Sequence, residues 1–73
     1  MLLKNGSTGS EVGVIQNNLK RLGYDPLTID CIFGEKAENA IRKFQSSYGL
    51  VTDGIVGPKT STVIFLRNIR IIN

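Results

Sequence analysis

The 73-residue chain has no histidine, no tryptophan, two prolines and one cysteine, and each shortage removes a class of chemistry. Without histidine there is no Cys–His nucleophile pair and no usual set of zinc ligands, and Cys31 alone forms no internal disulfide. No apolar run approaches the roughly 20 residues that a membrane helix needs, so a membrane is not an expected partner. Met1-Leu2-Leu3 passes straight into Lys4 and a Gly/Ser-rich stretch, unlike a secretory leader. A domain of this kind working outside a cell is expected to be carried there by a parent chain or released by host lysis. The length itself sits near the lower limit for a self-standing core and leaves little room for a deep catalytic cleft. With 41% apolar residues and charges of both signs the chain is globular, and its net charge of +3 would favour an anionic partner only mildly.

What the chain does contain is a loop written twice. Asp30-Cys31-Ile32-Phe33-Gly34-Glu35-Lys36-Ala37 returns 23 residues later as Asp53-Gly54-Ile55-Val56-Gly57-Pro58-Lys59-Thr60. Each copy reads Asp, any residue, Ile, an apolar residue, Gly, any residue, Lys and a small residue. An Asp side chain accepts a backbone N–H one or two residues on and so fixes a turn, and Gly then permits backbone angles closed to other residues. Pro58 suits a first helical position, and Glu35 in the same place suits the positive end of a helix dipole. Two helices are therefore predicted to start at about residues 34 and 57.

An earlier helix is predicted from Ser10, read as an N-cap before Glu11, with Val12, Ile15, Leu19 and Leu22 on one apolar stripe and Gly23 as the stop. Pro26 holds Asp25 extended, so the helix does not resume at once. The second helix carries Ala37, Ala40, Ile41, Phe44 and Tyr48 on one face, pairs Glu38 with Arg42 on its outside, and stops at Gly49. For the third segment, Lys59 to about Asn68, the β-branched residues leave strand as an alternative, and the Gly57-Pro58 approach decides for helix. Arg67 to Asn73 alternates and reads as a short extended tail. The expected architecture is all-α: one domain over residues 1–73, a compact three-helix bundle with a core from about 3 to 66 and an apolar tail from 67 to 73.

The chain resembles the small peptidoglycan-binding domains that stand beside catalytic domains in bacterial and phage cell-wall hydrolases. The resemblance rests on Leu3-Lys4 with Gly6-Ser7 and Gly9; Val12 with Ile15-Gln16 and Leu19; Leu22-Gly23-Tyr24; Asp30 with Phe33-Gly34; Ala40-Ile41 with Phe44-Gln45; Gly49-Leu50; and Asp53-Gly54 with Val56-Gly57-Pro58 and Thr60. It implies a three-helix fold, no catalysis and no cofactor. It also implies recognition of peptidoglycan, so that an attached hydrolase stays near its polymer at the bacterial wall. Two departures stand out. Cys31 occupies a place where the pattern usually has Gly, and if that place needs a positive φ the substitution costs roughly 1–2 kcal/mol. Ala37 replaces a frequent Thr and removes a hydroxyl.

Peptidoglycan offers amide-rich stem peptides, N-acetyl groups, sugar hydroxyls and carboxylates, which a shallow site meets with backbone amides, fixed polar side chains and an apolar face. The candidate contacts are Gln16, Tyr24, Asp30, Phe33, Gly34, Gln45, Asp53, Gly54 and Gly57. Each also has a structural reading: the Asp residues as turn formers, the Gln residues as partners of loop backbone, Phe33 as core, and the Gly residues as turn positions. Catalytic and metal-binding residues are not expected. Two other functions fit a small basic helical domain. A nucleic-acid-binding domain would gather its cations on one recognition helix, but Lys20, Arg21, Arg42, Lys43, Arg67 and Arg70 are spread over three elements. An inhibitory pro-domain of a metalloprotease would use a thiolate to block zinc, but Cys31 lacks the Arg and Pro neighbours expected of that switch.

Overall fold

The structure, a computed structural model, describes residues 2–24 and 28–72, with side chains as far as Ile69. Three helices follow in order: α1 (Ser10–Arg21), α2 (Glu35–Ser47) and α3 (Pro58–Ile72), with α1 packed against both others. The only β pairing among the described residues is two isolated bridges, Leu3 with Val56 and Thr8 with Ile32. The Asp25-Pro26 connection lies outside the described residues.

The apolar stripes meet as their spacing requires. Val12, Ile15 and Leu19 of α1, Ala37, Ala40, Ile41 and Phe44 of α2, and Ile64 of α3 are buried together with Leu3, Phe33 and Val56. Tyr24 and Tyr48 close one side: Phe44 meets Tyr24 edge-on, with ring centroids 5.5 Å apart, and Tyr48 at 4.6 Å.

The two helix stops are built alike. Gly23 has φ +89° and Gly49 φ +68°. The next residue's N–H reaches back to the fifth carbonyl before it, Tyr24 to Leu19 at 3.1 Å and Leu50 to Gln45 at 2.8 Å. That is the Schellman arrangement, which satisfies carbonyls left open at a helix end. The expected Glu38–Arg42 pair is present at 3.1 Å.

The third segment is helix from Pro58 onward, as the Gly57-Pro58 approach led one to expect. Two expectations are corrected. Gly9, not Ser10, holds the N-cap position of α1; its φ of +119° lets its N–H donate to the Cys31 carbonyl at 3.0 Å while its own carbonyl accepts from Val12. Residues 67 to 72 continue α3 and form no extended tail. The periodicity runs through Thr60, Ser61, Ile64 and Asn68, all buried on one face. Asn68 stands where an apolar residue would have signalled the helix, and its amide instead donates to the carbonyls of Ile64 at 2.9 Å and Asn18 at 3.3 Å.

Candidate functional site

Each Asp loop is fastened by the same three-residue clip. In the first, Asp30 Oδ1 accepts the Ile32 N–H at 3.0 Å and the Gln16 amide at 3.1 Å. The same amide donates to the Ile32 carbonyl at 3.0 Å, and Gln16 Oε1 accepts the Cys31 N–H at 3.0 Å. In the second, Asp53 Oδ1 accepts Ile55 N–H at 3.0 Å and the Gln45 amide at 2.9 Å. Gln45 then donates to the Ile55 carbonyl at 3.0 Å and accepts the Gly54 N–H at 3.0 Å. A glutamine from one helix thus shapes the loop that launches the next.

The copies differ where the sequence differs. Gln45 also donates to Thr60 Oγ1 at 3.2 Å, and Ala37, at the matching place in the first loop, offers no such acceptor. Cys31 has φ +61° and Gly54 φ +73°, so the first loop does hold a non-glycine residue in the left-handed region. Arg42 braces the second loop, donating to the Thr52 carbonyl at 3.1 Å while paired to Glu38.

These bonds set the electrostatics. The Ile32 N–H, and after it the Gln16 amide, hold the Asp30 carboxyl below the usual carboxylate range. For Asp53 the causes in order are the Ile55 N–H and the Gln45 amide, with the Arg42 charge a smaller contributor. Both carboxylates remain solvent-exposed.

Two grooves open at the starts of α2 and α3, and seven lining positions of one map onto seven of the other by the 23-residue offset, Thr28 onto Val51 and the other six within the loop pattern. The first, about 330 Å³, is lined by Asp30, Ile32, Gly34, Glu35, Lys36 and Ala37, with Gln16 and Thr28 beside them. The second, about 440 Å³, is lined by Asp53, Ile55, Gly57, Pro58, Lys59 and Thr60, with Leu2, Gly49, Leu50 and Val51 added. The candidates separate accordingly. Asp30, Gly34, Asp53 and Gly57 line groove surface. Gln16, Gln45 and Phe33 are 2%, 1% and 1% exposed, and Gly54 is buried under Glu38 and Arg42; these four shape the loops from beneath, Gln16 also forming part of the first groove's lining. Tyr24 is half-buried against Phe44 and lines neither groove. Sequence reasoning did not nominate Ile55 or Lys59, although the repeat pattern contained both; Leu2 and Val51 lie outside the repeat and carried no signal.

Fold and loops together define a small helical recognition module with paired shallow grooves. A family model described as peptidoglycan binding domain matches residues 8–64, and the chain belongs to that family. The crystal structure of the SleB N-terminal domain superposes with a TM-score of 0.90, covering 93% of each chain at 31% identity. The Burkholderia AP3 phage endolysin gives a TM-score of 0.84 at 39% identity, covering 88% of this chain and 24% of that one. The zinc D-Ala-D-Ala carboxypeptidase of Streptomyces albus G is 40% identical over 67 residues, 86% of this chain and 26% of the enzyme. Among the first curated hydrolases matched, the chain spans between 16% and 26% of their length. The family's domain is a peptidoglycan-binding module, joined in these relatives to further sequence that this chain does not cover.

Proposed function

We propose that this chain is the non-catalytic wall anchor of a cell-wall hydrolase or endolysin and holds its catalytic partner on peptidoglycan through the exposed surface of the Asp loops. The duplicated Asp loop, clipped by Gln16 and Gln45, supports the reading most directly: it fixes backbone and carboxylate groups at the mouth of a shallow groove, as recognition of an amide-rich polymer requires. Asp30, Asp53, Gly34 and Gly57 are the contacts available at that surface. One shallow site binds weakly, and tethering multiplies its effect by raising the local concentration of the attached enzyme.

The rival functions find less support. Arg42 is engaged by Glu38 and Thr52, and Arg67 lies over the Tyr48 ring at 4.8 Å from its centroid, so these cations serve the fold. The Cys31 thiol packs onto Gly13 of α1 and is not presented as a zinc-blocking arm.

Co-sedimentation with purified sacculi stripped of secondary anionic polymers, at low and high salt with DNA binding assayed in parallel, tests the reading. Retention on stripped walls at high salt is expected. Loss of retention on stripping or in salt would reduce the interaction to the +3 charge.

A further inference from the structure

We infer that the two grooves are not equal, and that the one between the Asp53 loop and the start of α3 receives a stem-peptide segment, with Val51 and Leu2 as its apolar walls and Lys59 as the partner of a peptide carboxylate. This inference rests on the reading of the chain as a peptidoglycan binder and assigns that binding to one of two look-alike sites.

Three differences favour the second groove. It is the larger, about 440 Å³ against about 330 Å³. Its rim carries Val51 at 80% and Leu2 at 67% exposure, the two most exposed large apolar side chains among the described residues. Both are otherwise unpaired apolar surface next to Leu50, Ile55 and Pro58, so one groove concentrates what a binding site would cover. Its charges also differ. The first groove sets Asp30 and Glu35 against Lys36, whereas the second sets Asp53 against Lys59, with uncharged Pro58 where Glu35 stands. A carboxylate entering the first groove meets Glu35; in the second it meets Lys59 with no acidic neighbour in sequence.

The occupant follows from that lining. Methyl-bearing residues on an extended backbone suit the Leu2, Val51 and Ile55 walls, and a carboxylate suits Lys59. Among the described residues Asp53 Oδ2 has no hydrogen-bond partner, since Oδ1 alone is used by the loop, so it is free to accept a peptide N–H. A short, alanine-like, carboxylate-bearing peptide meets all three requirements. A glycan chain without its peptide offers N-acetyl N–H groups and lactyl carboxylates but no extended run of methyl-bearing residues for the Leu2, Val51 and Ile55 walls.

The first groove supplies the controls, Lys36 as the repeat partner of Lys59 and Ile32 as an exposed apolar residue of its own, 55% exposed against 80% for Val51. Lys59→Ala and Lys36→Ala change net charge equally, and Val51→Ser and Ile32→Ser each remove exposed apolar surface. Retention of the whole chain on stripped sacculi would be measured for all four, with sedimentation velocity run on each. The expected result is a loss of roughly fivefold or more for Lys59→Ala and for Val51→Ser, about 1 kcal/mol each, while Lys36→Ala and Ile32→Ser stay within about twofold of the parent. A soluble muropeptide should compete, and a peptide-free glycan strand should not. Equal losses in each pair, or competition by the bare glycan, would overturn the assignment. So would a Val51→Ser change from dimer to monomer without loss of retention, which would make the apolar rim a self-association surface. Retention by the parent with no loss in any variant would overturn this inference alone, whereas a parent chain that does not bind stripped walls would overturn the underlying reading.

Discussion

Gly13 of α1 and Cys31 of the first Asp loop occupy each other's space: a Cβ built on Gly13 would lie 2.6 Å from Cys31 Sγ. The second loop solves the same problem in reverse. There the loop residue is Gly54, and the side chains of Glu38 and Arg42 fill the room above it, with Arg42 Nε 3.0 Å from a Cβ placed on Gly54. A side chain in the loop goes with a bare helix, and a bare loop with a long helical side chain. Gly13→Ala should therefore destabilise the chain by about 1 kcal/mol, because overpacking costs more than the gain in helix propensity returns. In a Cys31→Gly background the same change should stabilise by up to about 1 kcal/mol. Denaturant unfolding of the four variants gives the cycle, and equal signs in both backgrounds would refute the steric coupling.

Gln45 should matter more than Gln16. It makes four hydrogen bonds within the second loop, and Gln45→Leu strands the buried Gly54 N–H and the Thr60 hydroxyl together. The expected cost is roughly 2–4 kcal/mol. Gln16→Leu leaves a part-buried Cys31 N–H that water can reach, and should cost about half as much. Chemical denaturation of the two variants settles the order, and an equal or larger effect at Gln16 would contradict it.

The parts of this fold that were legible in the sequence are those where one residue type has one local use. Asp30 and Asp53 each fix a turn by accepting an N–H two residues on, Gly34 and Gly57 stand directly before helices, and Gly23 and Gly49 end them. The family resemblance raises a positive φ at Cys31 only as a condition, and the structure meets that condition at +61°. Legibility failed where a polar residue took a core position. Asn68 hid the continuation of α3, because a buried amide bonded to backbone carbonyls looks, in sequence, like the end of an apolar stripe. The groove suffered the opposite problem: Val51 is an exposed apolar residue on a connection, and Leu2 reaches it from the far end of the chain, so no local pattern joins them.

Acid should loosen the loops. Asp30 and Asp53 have folded-state pKa values lowered chiefly by the Ile32 and Ile55 N–H groups, and Glu38 is lowered by Asn5 and then Arg42. A depressed folded pKa contributes stability that is fully present above the unfolded value, near 4 for a carboxylate, and is lost as pH falls through the folded value. Stability is thus expected to be flat with respect to these groups from neutrality to about pH 5 and to decline below it. In the Asp30→Asn, Asp53→Asn double variant, which keeps an acceptor oxygen at each turn, that acid decline should become shallower. An unchanged acid limb in thermal melts from pH 6 to 2 would show that the two carboxylates do not govern it.

The first residues of the chain should be as necessary as the helices, although the family match begins only at residue 8. Leu3 exchanges both backbone hydrogen bonds with Val56, at 3.0 and 2.7 Å, and is itself 7% exposed. A few residues later Gly6 donates to the Phe33 carbonyl and Phe33 donates to the Ser7 carbonyl, both at 2.8 Å. Val56 and Phe33 are the matching apolar residues of the two Asp loops, so one strand-like segment ties both loops to each other and to the core. A chain beginning at Thr8 loses these four bonds and a buried leucine. Burying that side chain contributes roughly 1.5–3 kcal/mol, and the bonds add about 1 kcal/mol each before the entropy of ordering the segment is subtracted. A net loss of roughly 2–4 kcal/mol is expected, lowering Tm by 10 °C or more for a domain of this size. Amide exchange would locate the effect, with Phe33 and Val56 exchanging fastest relative to the full chain and the mid-helix amides of α2 least affected. A truncated chain that melts within about 2 °C of the full one would show that the loops are held by the Gln16 and Gln45 clips alone.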